Sequence, residues 1–457
     1  MKFFLVCLSI GLLVSGCTLT TFEYQSNLRM EENYLHASAQ RQTIDSAWWK
    51  EFGSETLNSL VAQMLERNHD LLSSYETLKQ AQLQLHVSKT ALSPSATLSA
   101  SSAAKRNISD IDRPDWKTTR SSGATLGISY EIDVWNKLEA SVKASEATLK
   151  ATQYDWDALR LSLIANTVES YLQYVALEER IVIARQNLES ARELLKIVEA
   201  KYEAGSVSEV DVSQQKTTLL SQESTLLGLQ QSQQESFHAI AILCGEKPEV
   251  FGMRKEPFNT FAIQEIQTAL PSDLLLNRPD IASSRAQIES AEYAIYVAYV
   301  ERFPSFSLTG SAGLASDVLA SLANPSAALN GALGLGYTLF DNGKADDQLS
   351  IEKSKAKKLV IAYEQTVLTA LQEVEDALFA LHIANQKSQV QEQLLQESER
   401  SYRLALDQYT YGSTDFATLI GAQRTLYQVK DATVQQKLTK LLATVDMYKV
   451  LGGGWTQ

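Results

Sequence analysis

From Trp135 to Tyr202, and again from Ala345 to Tyr411, the chain contains neither proline nor glycine. Runs of that length far exceed an ordinary globular helix. A helix over residues 137–203 extends on the order of 100 Å at a rise of ~1.5 Å per residue. Coiled-coil spacing runs through both stretches: Val168, Leu172 and Val175; Leu188, Leu195, Val198 and Tyr202; Leu371, Val374, Leu378 and Leu381. Glu, Gln, Lys and Ser fill the positions between, as a solvated face requires. Val212, Leu219 and Leu226, seven apart, suit a helix that returns beside the first.

The two stretches are copies. Tyr202 and Gly205 recur as Tyr409 and Gly412, 207 residues later, and the same offset pairs Leu126 with Leu333, Tyr130 with Tyr337, Lys137 with Lys344, Leu161 with Leu368 and Thr218 with Thr425. The matches keep their order, which implies duplication of a unit of roughly 200 residues. Gly205 and Gly412 stand where each long helix reverses, because glycine adopts positive backbone angles at little cost. Two antiparallel hairpins per chain follow, each with a returning arm of about 35 residues.

Each copy also holds two segments in which the period falls to two. In "SATLSASSAA", Ala96, Leu98 and Ala100 alternate with Ser95, Thr97, Ser99 and Ser101. "GATLGISYEIDV" places Leu126, Ile128, Tyr130, Ile132 and Val134 opposite Thr125, Ser129, Glu131 and Asp133. "PSFSLTGSAGL" and "LNGALGLGYTLF" repeat the pattern, with Phe306, Leu308, Leu333, Leu335 and Leu339 on the apolar face. Four strands of about ten residues suit a tilted crossing of a hydrocarbon layer. Tyr130, Trp135, Tyr337 and Phe340 lie towards the strand ends, where an aromatic rim belongs. A soluble sandwich alternates too. Four strands cannot close around a pore, so a barrel reading requires oligomerisation, most simply a trimer with twelve strands.

The N-terminus "MKFFLVCLSIGLLVSGC" has the short apolar run of a secretory signal, ending in small residues and a cysteine. The ending resembles a lipobox, which predicts cleavage before Cys17 and acylation of its thiol; Thr18 rather than Asp after it suits sorting to the outer membrane. Cys7 leaves with the signal, so Cys244 has no disulfide partner and reads as a small residue packed at a helix end. A net charge of -13 argues against nucleic acid as a ligand. The five histidines, at 36, 69, 86, 238 and 382, include no helical i, i+4 pair for a metal. "GALGLG" lies inside an alternating strand and "NGK" at 342–344 lacks the Ser or Thr of a phosphate loop, so no enzyme, metal or cofactor is expected.

Taken in order, "SAWWKEFG" (46–53), "KYEAGSVSEVDV" (201–212), "NRPDI" (277–281), "FPSFSLTGSAG" (303–313), "TLFDNGK" (338–344), "AQRTLYQ" (422–428) and "YKVLGGGW" (448–455) resemble the TolC-like outer membrane factors. The likeness covers nearly the whole mature chain and points to the lipoprotein branch of RND-type efflux systems (NodT type). It implies an α+β membrane protein: a long coiled-coil helical barrel with four transmembrane strands per chain, closing as a twelve-stranded barrel in a homotrimer. It also implies a lipid-anchored protein in the outer membrane of a Gram-negative bacterium, with a large periplasmic part. The partners implied are a periplasmic adaptor, an inner-membrane RND-type transporter and outer membrane lipid.

The expected organisation is a signal peptide at 1–16, a lipid-anchored extension at 17–54, a helix at 55–92, a strand pair at 93–134 and hairpin one at 135–244. An equatorial belt follows at 245–277, then a helix at 278–303, a strand pair at 304–341, hairpin two at 342–450 and a tail at 451–457. "DSAWWKEFGSETL" is expected to pack on the belt, and Pro279 with Asp280 to open the helix after it. The resemblance assigns the adaptor-docking tips to Ala204, Gly205, Ser206, Tyr411, Gly412 and Ser413. It assigns Tyr409 and Asp211 to links that hold neighbouring hairpins together when closed, and Arg424 to a position just inside the entrance. Relatives commonly carry an aspartate directly before "AQR"; here Gly421 stands there, and Thr418 one turn earlier is uncharged. The gate is therefore expected to close by packing of Phe416, Leu419 and neighbouring hairpins, with Asp415 the nearest acid. The function implied is the passive exit duct of a tripartite efflux pump. Alternatives are a duct for type I protein secretion or metal efflux and, in a different class, a coiled-coil structural lipoprotein.

Overall fold

The computed structural model describes residues 45–108, 116–261, 278–316 and 326–455. The signal, Cys17 and the extension to residue 44 lie outside the described residues, as do 109–115, belt residues 262–277, 317–325 and 456–457. The elements are helices α1 (Glu55–Arg67) and α2 (His69–Thr90), strands β1 (Ser95–Ile108) and β2 (Trp116–Ile132), α3 (Lys137–Glu203), α4 (Glu209–Leu243) and α5 (Pro279–Val300). Strands β3 (Ser305–Ser316) and β4 (Ser326–Gly336) follow, then α6 (Lys344–Thr410) and α7 (Phe416–Val450). The described residues form two compact units: one of 77–108, 116–153, 283–316 and 326–364, the other of 45–76, 154–261, 278–282 and 365–455.

The duplication is visible in element lengths. Helices α3 and α6 have 67 residues each, α4 and α7 have 35 each, and α2 and α5 have 22 each.

In the first unit the strands form one antiparallel sheet in the order β1-β2-β3-β4, leaving β1 and β4 as edges. Their lengths are 14, 17, 12 and 11 residues, somewhat longer than the alternation indicates. Register places Leu98 beside Leu126, Leu126 beside Ala312 and Ala312 beside Leu329; four residues away Tyr130 faces Leu308, which faces Leu333. Across these rungs one face is apolar, and its leucines are uncovered: Leu98 is 77% and Leu329 85% exposed. The other face carries Ser, Thr and Gly, hydroxyls that bond across strands, as Ser99 Oγ does to the Thr125 carbonyl at 3.3 Å. At the sheet's helical end the Trp135 indole donates to the Pro304 carbonyl at 2.7 Å, and its ring lies 5.2 Å from Phe303.

In the second unit the core gathers around Trp48, which is fully buried and stacks on Tyr448 at 4.9 Å. Trp49, Phe52, Tyr171, Leu172, Phe251, Phe258 and Phe261 join it, so the "SAWWKEFG" segment and the described part of the belt share one core. Glu256 of the belt clamps the start of α1: its carboxylate accepts from Ser54 Oγ at 2.5 Å, from the Thr56 amide at 3.0 Å and from Thr56 Oγ1 at 2.7 Å. Burial pushes that carboxyl up, but the bonds from Ser54 and Thr56 outweigh it and hold the group below its ordinary range.

The single helix expected over 55–92 is two. Asn68 leaves helical geometry (ψ 125°), its side-chain oxygen accepts from the amides of Asp70 and Leu71, and its side-chain amide donates to the Leu243 carbonyl. Asparagine competes for backbone groups in this way, ending one helix and capping the next. Cys244 caps the end of α4 in the core, where burial pushes its thiol up to about 12.

Candidate functional site

Both hairpin tips are built by one device. The α3 helix ends with the Gly205 amide on the Tyr202 carbonyl (2.9 Å) and the Ser206 amide on the Lys201 carbonyl (2.8 Å); α6 ends with Gly412 on Tyr409 (3.2 Å) and Ser413 on Gln408 (2.8 Å). This pairing demands a left-handed residue, and Gly205 and Gly412 have φ of 72° and 76°. The following helices start from side-chain caps. Ser208 and Asp211 form a reciprocal capping box on α4, and Asp415 accepts from the Thr418 amide (2.8 Å) and Oγ1 (2.6 Å) on α7. Those two Thr418 bonds, the side-chain one first, hold the Asp415 carboxyl below its ordinary range.

Ala204, Gly205, Ser206, Tyr411, Gly412 and Ser413 are all exposed. Just behind them an apolar cluster joins the hairpins of one chain: Leu194, Val198 and Val212 from the first pack with Ala405, Tyr409, Phe416, Leu419 and Ile420 from the second. The Tyr409 and Phe416 rings are 5.7 Å apart. Three further ties cross between hairpins. Lys201 donates to the Tyr409 carbonyl at 2.9 Å, Arg424 donates to Thr218 Oγ1 at 3.2 Å, and Arg180 holds Asp431 through two bonds of 2.6 and 3.1 Å.

The structure therefore brings Tyr409, Phe416 and Leu419 together and leaves Thr418, Gly421 and Arg424 on exposed positions of α7. Asp415 serves its own helix as a cap. Asp211 likewise spends its carboxylate on the Ser208 amide and hydroxyl, both at 2.9 Å, while the buried Tyr409 hydroxyl has no hydrogen-bond partner. Within the chain, then, Tyr409 and Asp211 do not bond each other as a hairpin link. Burial, with the Asp211 charge second, raises the Tyr409 phenol above its ordinary value. Tyr202, placed by its spacing in the core, is 45% exposed. Its copy Tyr409 lies under Phe416, whereas the position equivalent to Phe416 in hairpin one is Glu209. Lys201, Arg180 and Asp431 escape sequence reasoning, because their partners lie more than 200 residues away.

The sequence profile described as outer membrane efflux protein matches residues 60–246 and 270–453, one segment for each copy. The chain belongs to that family. Within it, the chain is 32% identical to the pyoverdine export outer membrane protein OpmQ of Pseudomonas aeruginosa over 98% of its own length and 96% of OpmQ. It is 25% identical to outer membrane protein OprJ of the same species, again over 98% of its length and 95% of that protein. Among solved structures of the efflux family and its kin, the outer-membrane channel OprN superposes with a TM-score of 0.87 at 26% identity, over 96% of this chain and 100% of OprN. The CmeC outer membrane channel of Campylobacter jejuni gives 0.88 at 26% identity, over 96% of each chain.

Proposed function

We propose that the protein is the exit duct of a tripartite efflux pump in the outer membrane, conducting small molecules passively. The observation that carries this reading is the uncovered sheet. Four strands with two open edges and an apolar face whose leucines are exposed suit a membrane wall completed by further copies. Three copies supply twelve strands, which supports a homotrimeric barrel. A second surface asks for the same partner: Leu368, Phe379, Val390 and Leu404 lie along one exposed stripe of α6. Their spacings fit helical turns, as a helix contact between copies requires. A structural spacer needs the helices but not the sheet.

In this reading Cys17 carries the lipid that anchors the chain. The tips at 204–206 and 411–413 meet a periplasmic adaptor fed by an inner-membrane RND-type transporter, and adaptor contact shifts the gate towards an open state that it binds more tightly. The gate closes by packing of Phe416 and Leu419 rather than by an acidic ring. Channel block by divalent cations that vanishes in Asp415→Ala would overturn that. The names of the OpmQ relatives add pyoverdine export as a specific cargo reading, checked by whether the chain restores siderophore export to a strain lacking its own duct.

The deciding experiment is oligomer mass and single-channel conductance of the lipidated protein from outer membranes. A trimer of small conductance that grows when a tip is loosened supports the duct; a species that never conducts returns the spacer to first place. Gly412→Trp should disturb docking and efflux while leaving the trimer intact, since this reading assigns the exposed turn at Gly412 to the adaptor.

A further inference from the structure

Resting on that reading, we propose that Lys201 is the latch of the gate, a positioning residue on hairpin one that holds the docking turn of hairpin two. Its ammonium group donates to the Tyr409 carbonyl at 2.9 Å and lies 3.9 Å from the centre of the Tyr409 ring. The same carbonyl accepts the Gly412 amide at 3.2 Å. One oxygen thus carries both the cation from the other hairpin and the turn that presents Tyr411, Gly412 and Ser413.

Three features make this contact suited to a latch. The carbonyl lies in the last turn of α6, where unpaired C=O groups and the helix dipole favour a cation. The ring beneath the lysine is fixed by Phe416 and 4% exposed, so the cation meets a rigid aromatic face shielded from water. The Tyr409 hydroxyl, in contrast, is buried and unpartnered. The link between hairpins at this tyrosine therefore runs through ring and backbone, not through the phenol.

The latch also occurs once per chain. At the position of Lys201 the second copy has Gln408, and Tyr202, the copy of Tyr409, lies on the surface. Force on the 411–413 turn reorients the shared carbonyl and loosens the lysine's hold, which gives adaptor docking a direct path to the seam.

The test uses the full-length lipidated trimer in planar bilayers, without adaptor, with oligomer mass measured for every variant. Lys201→Met keeps the side chain's length and removes the charge; loss of a charged hydrogen bond and a shielded cation–π contact is expected to raise open-state occupancy on the order of tenfold. Lys201→Arg, which keeps cation and donors, should restore the closed behaviour, and Lys196→Met, an exposed lysine on the same helix, should leave conductance as it was. Tyr409→Phe, which keeps ring and carbonyl, should open the channel less than Lys201→Met. The latch is overturned if Lys201→Met, or Lys201→Gln should the first not trimerise, stays as closed as the parent. It is also overturned if Tyr409→Phe opens further than the lysine variant. A parent protein that neither trimerises nor conducts sinks the duct reading instead; a conducting trimer indifferent to Lys201 sinks the latch alone.

Discussion

Helices α3 and α6 have the same length and end in the same glycine turn, yet Tyr202 at the end of the first is 45% exposed and Tyr409 at the end of the second is 4% exposed. The residues around them explain the divergence. Hairpin two follows its turn with Phe416 and Leu419, hairpin one with Glu209 and Val212; hairpin one supplies Lys201, hairpin two Gln408. Backbone instructions have been kept in both copies, while the side chains that join one hairpin to the other have become complementary rather than alike. A duplicated element can keep its shape and still become two different parts.

That contrast can be broken most forcefully in the apolar seam. Leu419→Ala, at a fully buried site, should destabilise the hairpin pair by about 2–5 kcal/mol. Val212→Ala, at the equivalent position on the rim of the same cluster, should lower the urea midpoint measured by helical circular dichroism distinctly less. Equal losses would erase the asymmetry. Where the copies agree, substitutions should agree too: Gly205→Ala and Gly412→Ala each place a methyl group in open space, so each should cost backbone strain alone, about 1 kcal/mol. Differential scanning calorimetry on each variant would reveal any inequality.

Smaller again is the Arg180–Asp431 tie, for which the opposite copies carry Lys387 and Ser224. Asp431→Asn should cost about 1 kcal/mol or less for a pair this exposed, and the loss should shrink as salt is raised. The gentlest test is acid. Because the folded Asp415 carboxyl lies below its unfolded value, its capping contribution is present above the unfolded pKa and lost as pH falls through the lowered folded one. Amide protection at Thr418 should therefore fall as the pH drops below the ordinary aspartate range, and the fall should disappear in Asp415→Asn.

The repeating and local features were legible in the sequence. Alternation in "SATLSASSAA" and the glycine after each Pro-free run announce strands and turns because period and backbone preference are short-range properties. Asn68 was within reach of the same reasoning, being a residue that caps helices, yet the apolar pattern on either side of it hides the break. The contacts that join the two hairpins are of another kind. Nothing near Lys201 in the chain indicates that its amine will meet Tyr409, and the capping duty of Asp211 conceals itself as a free acid until Ser208 is seen folded onto it.

The hydroxyl-bearing side of the sheet has a consequence of its own. A methyl group at Gly334 would come within 2.7 Å of the Ser307 hydroxyl, and one at Gly313 within 3.1 Å of the Thr125 hydroxyl. In the barrel proposed above this face is the lining, and it is surfaced largely by some of the shortest side chains available. A molecule passing through such a barrel meets water and small hydroxyls there, with few long arms to grip it. Such a lining has little friction and little taste, so traffic through it is governed by whatever fills the tunnel from below.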